Sequence, residues 1–352
     1  MDTRDQVKDY YGKELSDSKD LKTNACCTDF AYPQEIKDIL SSLHDEVMSK
    51  YYGCGLTLPN SLDNCAILDL GSGSGRDCYI ASKLVGENGL VVGVDMTDEQ
   101  LDVANRHIDF HTDLFGYKKA NISFKKGYIE ELDKLELKDS SFDIIISNCV
   151  INLSTDKRKV LADCYNLLKV GGEMYFSDVY ASRRVPKVLQ DDPVLYGECL
   201  SGALYYNDFE TIAKEVGFNA PRVVEAAPIT IENKDIQDKL EGYEFYSITY
   251  RLFKLDDLEL VSEDYGHKAT YNGSLTDAPN KFMFDNQNTF ETGKERRIDG
   301  NTMRMLSDSR YKKHFDFSGS FESHKGVFSR CASNNPYAKL HEENAKKGGG
   351  CC

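Results

Sequence analysis

The residues best suited to chemistry form a short glycine-rich stretch near residue 70. The apolar run at 67–70 leads into alternating glycines and serines at 71–75 and then into helix-forming residues. This order predicts a strand, a tight turn and the start of a helix. Glycine lets the backbone turn sharply and lie flat against a ligand. We therefore predict that Gly71, Gly73 and Gly75 bind a cofactor.

The glycine spacing and two acidic residues indicate which cofactor this is. Dinucleotide-binding folds carry G-x-G-x-x-G and place a pyrophosphate on the helix N-terminus, but here the third glycine comes one residue earlier. Asp69 precedes the turn, and Asp95 ends the next apolar run, at the distance expected of a ribose-binding carboxylate. These acids favour a cationic nucleoside without phosphate, so we predict S-adenosylmethionine (SAM). The alternative is a tight turn that binds no ligand, with Asp95 as a strand-end cap.

Four cysteines stand in the leader, on connections or at element ends: Cys26, Cys54, Cys149 and Cys199. Structural zinc sites usually draw their ligands from local C-x-x-C pairs, and this sequence has none. The four thiols therefore favour a soft, thiol-seeking substrate over a structural metal. For any one of them, the alternative is a small buried apolar side chain.

The other cysteines and the histidines are expected to play no part in this chemistry. Cys65, Cys78 and Cys164 lie within or beside predicted regular elements, where a cysteine is usually a buried apolar residue. Cys27 is a spare or an alternate for its neighbour, and the pair at 351–352 is either an inert end, a thiol carrier or a lipid-attachment site. No histidine is assigned to a metal.

Composition excludes several classes of protein. The chain has 352 residues, of which 40% are hydrophobic, so it can bury a large core, and its net charge of −15 disfavours a nucleic-acid binder. No apolar run reaches the length of a membrane span. The charged N-terminus shows no secretory signal, so we expect a cytoplasmic protein, and we expect a monomer.

Strands alternate with helices around the glycine stretch. The pattern predicts strands at 66–70, 90–94, 122–125, 142–147 and 173–177, which is typical of an α/β fold with a parallel sheet covered on both faces. The predicted helices lie at 33–47, at 76–85, from a capping box at Thr97 to Gly116, and at 156–169. A short helix opens near Asn207 and ends at Gly217, and later strands fall at 221–232, 244–253, 268–272 and 281–284.

These elements suggest four regions. Residues 1–60 form a leader and helix that carry thiols, and 61–230 form the cofactor-binding core. A smaller β-containing domain spans 231–315, and 316–352 are a flexible tail. In such sheets ligands bind beyond the carboxyl ends of the strands, where the fourth predicted strand delivers Cys149.

With these residues in view, the chain resembles the arsenite S-adenosylmethionine methyltransferase family. The resemblance covers about residues 7 to 290, and the thiol constellation makes it more specific than the glycine turn alone. It implies a Rossmann-like class I methyltransferase sheet with the smaller C-terminal domain. It rests on these stretches of sequence: 9–12, 23–26, 51–55, 67–77, 93–97, 127–130, 147–153, 175–180, 197–200 and 250–254.

The resemblance implies roles for particular residues. Arsenic(III) is held by Cys149 and Cys199 with Cys54 as the third thiolate, and Cys26 pairs with Cys54 in redox turnover. The cofactor contacts that it implies are Tyr52, Gly71, Gly73, Asp95, Met96, Ile129, Glu130 and Asn148.

The sequence thus predicts an enzyme of arsenic detoxification. It transfers methyl groups from SAM to thiolate-bound arsenic(III), giving mono-, di- and trimethylated arsenicals from arsenite, methylarsenite or glutathione conjugates. A thiol reductant such as thioredoxin or glutathione is then consumed as co-substrate. Two alternatives remain: a SAM-dependent methyltransferase for another small molecule, such as a quinone or sterol, and a thiol-rich protein that binds arsenic. A nicotinamide dehydrogenase is disfavoured by the shortened glycine spacing.

Overall fold

A mixed eight-stranded sheet forms the centre of the protein. The structure, a computed structural model, describes residues 32–51, 55–231 and 233–328. The strands in chain order are β1 (Ala66–Leu70), β2 (Leu90–Asp95), β3 (Ile122–Lys126), β4 (Phe142–Asn148), β5 (Leu168–Ala181), β6 (Leu204–Tyr205), β7 (Arg222–Pro228), β8 (Phe245–Phe253), β9 (Lys268–Tyr271), β10 (Lys281–Met283), β11 (Thr289–Glu291), β12 (Glu295–Arg297) and β13 (Phe315–Ser318).

Helices cover this sheet and fill the connections. The helices are α1 (Gln34–Ser42), α2 (Asp45–Ser49), α3 (Arg76–Val85), α4 (Asp98–Arg106), α5 (Ile108–Phe115), α6 (Lys157–Leu167), α7 (Lys187–Gln190), α8 (Pro193–Gly197), α9 (Tyr206–Glu215), α10 (Lys234–Lys239) and α11 (Gly300–Ser307). Short 3₁₀ turns lie at Ile129–Lys134, Ile151–Leu153 and Arg310–His314.

The order of strands across the sheet is β3-β2-β1-β4-β5-β8-β7, with β6 paired to β5. The first five strands of this order run parallel, and β8 is antiparallel to both of its neighbours. The predicted α/β class and its parallel sheet are therefore confirmed. Because β1 lies between β2 and β4, the carboxyl ends of these three strands meet at one edge.

Alternating side chains build a core on each face of the sheet. Ile67, Ile144 and Ile146 pack against apolar residues of α1, α2 and α3. Leu68 and Ile145, one residue along each strand, face the opposite way and pack with residues of α6 and α9. Strands buried on both faces read as continuous apolar runs in sequence, which is why the pattern located them.

The C-terminal part is joined to the sheet by a buried charge network. Glu173 on β5 is fully buried and accepts hydrogen bonds from Arg251 on β8, with Nε to Oε2 at 3.0 Å, and from Arg310. Tyr311 adds its hydroxyl at 3.3 Å. The arginines come from the sheet and from the C-terminal part, so this network fixes one against the other.

Several elements differ from the sequence prediction. The predicted helix at 33–47 is two helices, α1 and α2, and the helix from Thr97 to Gly116 is divided at His107 into α4 and α5. The fifth strand is longer than predicted and begins directly after α6, passing through Gly171 and Gly172. Thr97 makes no side-chain cap of α4.

The region boundaries also differ. Strand β8, which the prediction placed in the domain at 231–315, lies between β5 and β7 in the main sheet. Residues 315–318, at the start of the predicted tail, form β13 and pair with β9 in a three-stranded sheet. Val327 also bridges to Glu263, so the first residues of the predicted tail are paired with the C-terminal part.

Candidate functional site

A cavity opens where β1, β2 and β4 end. It encloses about 1010 Å³ counted to its open mouth. Its wall is formed by Lys50, Tyr51, Asp69, Gly71, Ser72, Gly73, Ser74, Asp77, Asp95, Met96, Thr97, Gln100, Gly127, Ile129, Glu130, Asn148, Cys149, Val150, Leu153 and Ser154. This is the place where open α/β sheets bind their ligands.

The glycine turn shapes one wall of the cavity. Gly71 adopts a φ of +75°, and a Cβ there would lie 2.4 Å from Val150 Cγ2. Gly73 also has a positive φ, of +53°. Gly75 is predicted to bind the cofactor but is not among the wall residues. Its φ is +87° and a Cβ would meet the Phe124 ring at 2.7 Å, so packing and the turn into α3 account for this glycine.

Asp95 ties the turn to the end of β2. Its carboxylate accepts hydrogen bonds from the N–H groups of Gly73 and Thr97, both at 2.8 Å. Burial raises the pKa of Asp95, and these hydrogen bonds act in the opposite direction. The carboxylate is thereby fixed at the cavity wall, where the sequence predicts a ribose-binding acid.

Two further acidic residues, Asp69 and Asp77, lie at this end of the cavity. Burial, reinforced by the neighbouring Asp77 carboxylate, raises the pKa of Asp69 to about 8. The Cys78 thiol donates to Asp69 at 3.2 Å. Asp77 pairs with Arg76 at 2.7 Å. Asp69 is therefore neutral below about pH 8, and the Asp77 carboxylate carries the negative charge here; a carboxylate in a cleft of low dielectric attracts cations such as a sulfonium.

Two buried polar atoms in the wall have no partner within the described structure. They are Ser72 Oγ and Gln100 Oε1. Buried polar groups nearly always form a hydrogen bond in the functional state. A ligand rich in hydroxyl and amino groups, such as an adenosine, would supply these partners, so the donor and acceptor set fits SAM.

The remaining predicted cofactor residues lie in the same wall. Met96, Ile129, Glu130 and Asn148 all line the cavity. Glu130 accepts from the Thr155 N–H at 2.9 Å, and the Asn148 amide donates to the Tyr51 hydroxyl at 2.7 Å. Tyr52, the ninth predicted residue, lies outside the described residues.

Two of the predicted thiol residues come together beside the cavity. Cys149 lines it and is 2% exposed, and Cys199 is fully buried with its Sγ 3.4 Å from the Cys149 carbonyl oxygen. Both have left-handed backbone, with φ of +58° and +60°. Such strain in non-glycine residues is concentrated at functional sites. Cys149 is disulfide-bonded in this structure.

A lysine brings positive charge to the neighbourhood of Cys199. Lys157, at the start of α6, donates to the Ser154 carbonyl at 2.9 Å. Burial lowers the pKa of Lys157 to about 8, while Asp178, Glu130 and Cys199 act to raise it. Cations beside a cysteine favour its thiolate.

The other cysteines fall into two groups. Cys65, Cys78 and Cys164 are buried thiols, as expected. Burial raises the pKa of Cys78 well above its ordinary value, which keeps that thiol protonated. Cys26, Cys27, Cys54, Cys331, Cys351 and Cys352 lie outside the described residues.

Comparisons with known proteins match the chain to two family models and to several relatives. A "Methyltransferase domain" family model matches residues 61–217, and an "Arsenite methyltransferase C-terminal domain" model matches residues 265–352. The chain is 55% identical to an arsenite methyltransferase from Aquipseudomonas alcaligenes over 95% of this chain and 96% of that protein. The human arsenite methyltransferase is 45% identical over 88% of this chain and 82% of its own length.

This chain belongs to the arsenite methyltransferase family.

A solved member of the family has the same fold. The crystal structure of an arsenic(III) S-adenosylmethionine methyltransferase from Chlamydomonas reinhardtii superposes with a TM-score of 0.82 at 46% identity, covering 85% of this chain and 100% of that one. The class I methyltransferase sheet, the SAM cofactor and the family resemblance are thereby confirmed. Within the described ranges, no helix combines the length and apolar character needed to cross a bilayer.

Sequence analysis missed several wall residues. Among them are Tyr51, Ser72, Asp77, Thr97 and Gln100. Asp77 could have been found from the sequence, because it is an acid two residues after Gly75, the last glycine of the turn. Gln100 sits one turn into α4, and only the fold shows that this turn faces the cavity.

A histidine cluster elsewhere was also missed. His44, Glu46 and His107 place possible ligand atoms within 4.8 Å of one another, and His107 and His111 stand four residues apart. Glu46 already pairs with His107 and with Arg106, each at 2.6 Å. The His44 and His107 rings stack at 3.7 Å with planes 25° apart, so their lone pairs do not converge on one ion. We assign the cluster a packing role.

Proposed function

We propose that this protein methylates arsenic(III), using SAM as the methyl donor and cysteine thiolates to hold the arsenic. The observation that carries the proposal is that Cys149, which lines the SAM cavity, lies beside Cys199, 50 residues later in sequence, whose Sγ is 3.4 Å from the Cys149 carbonyl oxygen. Family membership supports the same reaction.

The reaction requires little from the protein beyond alignment of the arsenic with the methyl donor. Each thiol displaces one hydroxyl of arsenite as water and forms an arsenic–sulfur bond, which requires a deprotonated cysteine. The bound arsenic is then a trigonal pyramid with an exposed lone pair. SAM supplies an electrophilic methyl group when bound, so Cys149 and Cys199 need only aim that lone pair into the cavity. No strong general base is required.

We assign the third thiolate to Cys54. Its described neighbours support this, because the Gly55 carbonyl accepts from the Asn148 amide at 2.9 Å and Tyr51 bonds to the same amide. Asn148 directly precedes Cys149. The two described residues that flank 52–54, Tyr51 and Gly55, are therefore both hydrogen-bonded to the end of β4.

We assign Cys26 and Cys54 to a redox pair, as the family resemblance implies. Methylation leaves arsenic formally pentavalent, and two electrons from a dithiol return it to the trivalent state as a disulfide forms. A reductant such as thioredoxin or glutathione then restores the thiols. Cys149 is disulfide-bonded in this structure, and it must be reduced before it can bind arsenic, which also supports a requirement for reductant.

We further propose a cytoplasmic monomer that adds one, two or three methyl groups, acting on arsenite, methylarsenite and glutathione conjugates. The acidic balance, a net charge of −15, favours such small substrates over nucleic acid.

The test is to incubate the reduced protein with arsenite, SAM and thiol reductant and to separate the arsenic species. We expect methylated arsenic from the wild type and from Cys65→Ser, and none from Cys149→Ser or Cys199→Ser. Cys65 is the matched control because it is also a buried thiol but does not line the cavity.

Two results would contradict the proposal. Methylation of a quinone or sterol that is indifferent to Cys149 and Cys199 would indicate an oxygen or carbon methyltransferase. Tight arsenite binding without consumption of SAM would indicate an arsenic-binding protein.

A further inference from the structure

Arg76 is a buried cation directly behind the cavity wall. It is the first residue of α3, follows the glycine turn and is 7% exposed. Arg76 is not among the described residues that line the cavity. A buried guanidinium needs several partners to offset its lost hydration, and these partners show what Arg76 does.

The guanidinium has three partners. It forms an ion pair with Asp77, with Nε to Oδ1 at 2.8 Å. Its Nη2 donates to the Gly55 carbonyl at 2.6 Å. Its Cζ lies 3.2 Å from the centre of the Tyr51 ring, a cation–π contact. Two of these partners, Tyr51 and Asp77, are wall residues of the cavity.

The Gly55 carbonyl extends the network to a third wall residue. It accepts a hydrogen bond from the Asn148 amide at 2.9 Å as well as from Arg76. The Tyr51 hydroxyl also donates to this carbonyl, and it accepts from Asn148 at 2.7 Å. Tyr51, Asp77 and Asn148 are therefore arranged around a single guanidinium.

The position of this group in the sheet indicates which end of the cofactor it meets. Asp95, at the end of β2, lies on one side of β1, and Asn148, at the end of β4, lies on the other. The ribose belongs beside the acid at the end of β2. The methionine end of SAM then extends toward β4, where Cys149 follows Asn148.

We propose that Arg76 is a positioning residue for SAM, which holds Tyr51, Asp77 and Asn148 in the arrangement that receives the methionine end of the cofactor. Arg76 acts through these three side chains. The inference concerns SAM binding alone and does not depend on which acceptor is methylated.

The test is calorimetric titration of SAM and of its demethylated product, S-adenosylhomocysteine, into Arg76→Gln, Arg76→Lys and wild-type protein without arsenic. We expect Arg76→Gln to weaken binding of both ligands by at least tenfold. A lysine keeps the charge beside Asp77 but has no planar fork to bridge Asp77 and Gly55, so Arg76→Lys should bind with intermediate affinity. Arg106→Gln is the matched control, since Arg106 forms an exposed ion pair with Glu46.

Two further measurements separate positioning from a general structural role. Arsenite bound per reduced protein, measured after gel filtration, should be unchanged in Arg76→Gln, and the KM for SAM should rise while the KM for arsenite does not.

Three results would overturn the inference. The first is binding of both ligands within threefold of wild type. The second is tighter SAM binding with unchanged S-adenosylhomocysteine binding, which would show an effect of charge alone. The third is parallel loss of SAM and arsenite binding in both Arg76 variants, which would show that the residue only maintains the fold.

Discussion

Replacing Asp95 by asparagine tests the SAM cavity with the smallest change in shape. The carboxylate accepts one hydrogen bond from Gly73 and one from Thr97, both at 2.8 Å. Asparagine has one acceptor oxygen, and its NH₂ group would face the second N–H donor. The variant therefore loses at least one charge-assisted hydrogen bond that fixes the glycine turn, together with the acid available to a ribose.

The size of the effect on SAM binding follows from the hydrogen bond that the ribose would make to the Asp95 carboxylate. A hydrogen bond to a charged group contributes about 1.5–3 kcal/mol, and about 1.4 kcal/mol corresponds to a tenfold change in an equilibrium constant. We therefore expect SAM to bind roughly 10- to 150-fold more weakly to Asp95→Asn, at about 1.5–3 kcal/mol lost.

The assay is equilibrium titration of SAM into both proteins at the same pH and salt. Asp98→Asn is the matched control, because Asp98 is a nearby acid that forms an exposed ion pair with Lys126 and should change affinity less than threefold. The reasoning is refuted if Asp95→Asn binds SAM as tightly as the Asp98 variant does, or if arsenite binding falls in parallel with SAM binding.

Three other predictions follow from the structure. Gly71→Ala adds a Cβ 2.4 Å from Val150 at a φ of +75°, so overpacking and backbone strain should together destabilise the protein by about 2–5 kcal/mol and abolish SAM binding. Gly116→Ala, at a φ of +76° with open space around it, should show the strain alone in chemical denaturation, and equal losses would contradict the packing argument. Glu173→Gln leaves two buried arginines without their anion and should cost about 3–5 kcal/mol in the same experiment, whereas Glu215→Gln, from an exposed pair, should cost under about 1 kcal/mol. Because the pKa of Asp69 is raised to about 8, its contribution to stability is complete below the unfolded-state pKa, near 4, and is lost as pH rises toward 8. Asp69→Asn should thus flatten the decline of the melting temperature between pH 5 and 9, and an unchanged slope would show that Asp69 does not titrate in that range.

The central part of the fold could be predicted because its signals are local. β1, β2 and β4 are continuous apolar runs that end at glycine or at a polar residue, and the turn at Gly71 needs a residue type that the sequence displays directly. The placement of Asp95 followed from its distance to that turn. These inferences required no knowledge of distant contacts.

The sequence predictions were wrong where contacts between distant parts of the chain determine the structure. The division between α4 and α5 falls at His107, with no glycine or proline to mark it. Strand β8 joins the main sheet by pairing with β5, about 70 residues earlier in the chain, which a local pattern does not reveal. β13 is short and has only a few apolar residues, so it was assigned to the tail although β9 pairs with it.

In the candidate site, too, residues with local signals could be predicted and residues that depend on distant contacts could not. The glycine turn and Asp95 were accessible from residue type and spacing. The roles of Cys149 and Cys199 came from the family resemblance, and their contact depends on the loop after α8 crossing to the end of β4. Arg76 gave no signal as a single charged residue, since its importance lies in its contacts with Tyr51 and Gly55, which are more than 20 residues earlier in the chain.

The most direct measurement is arsenic X-ray absorption on the reduced protein loaded with one equivalent of arsenite. We predict three sulfur neighbours and no oxygen neighbour around arsenic in the wild type. In Cys199→Ser we predict two sulfur neighbours, an added oxygen neighbour and no methylated product on addition of SAM. Arsenic with mainly oxygen neighbours in the wild type, or an unchanged sulfur count in both Cys149→Ser and Cys199→Ser, would contradict the conclusion that these cysteines hold the substrate.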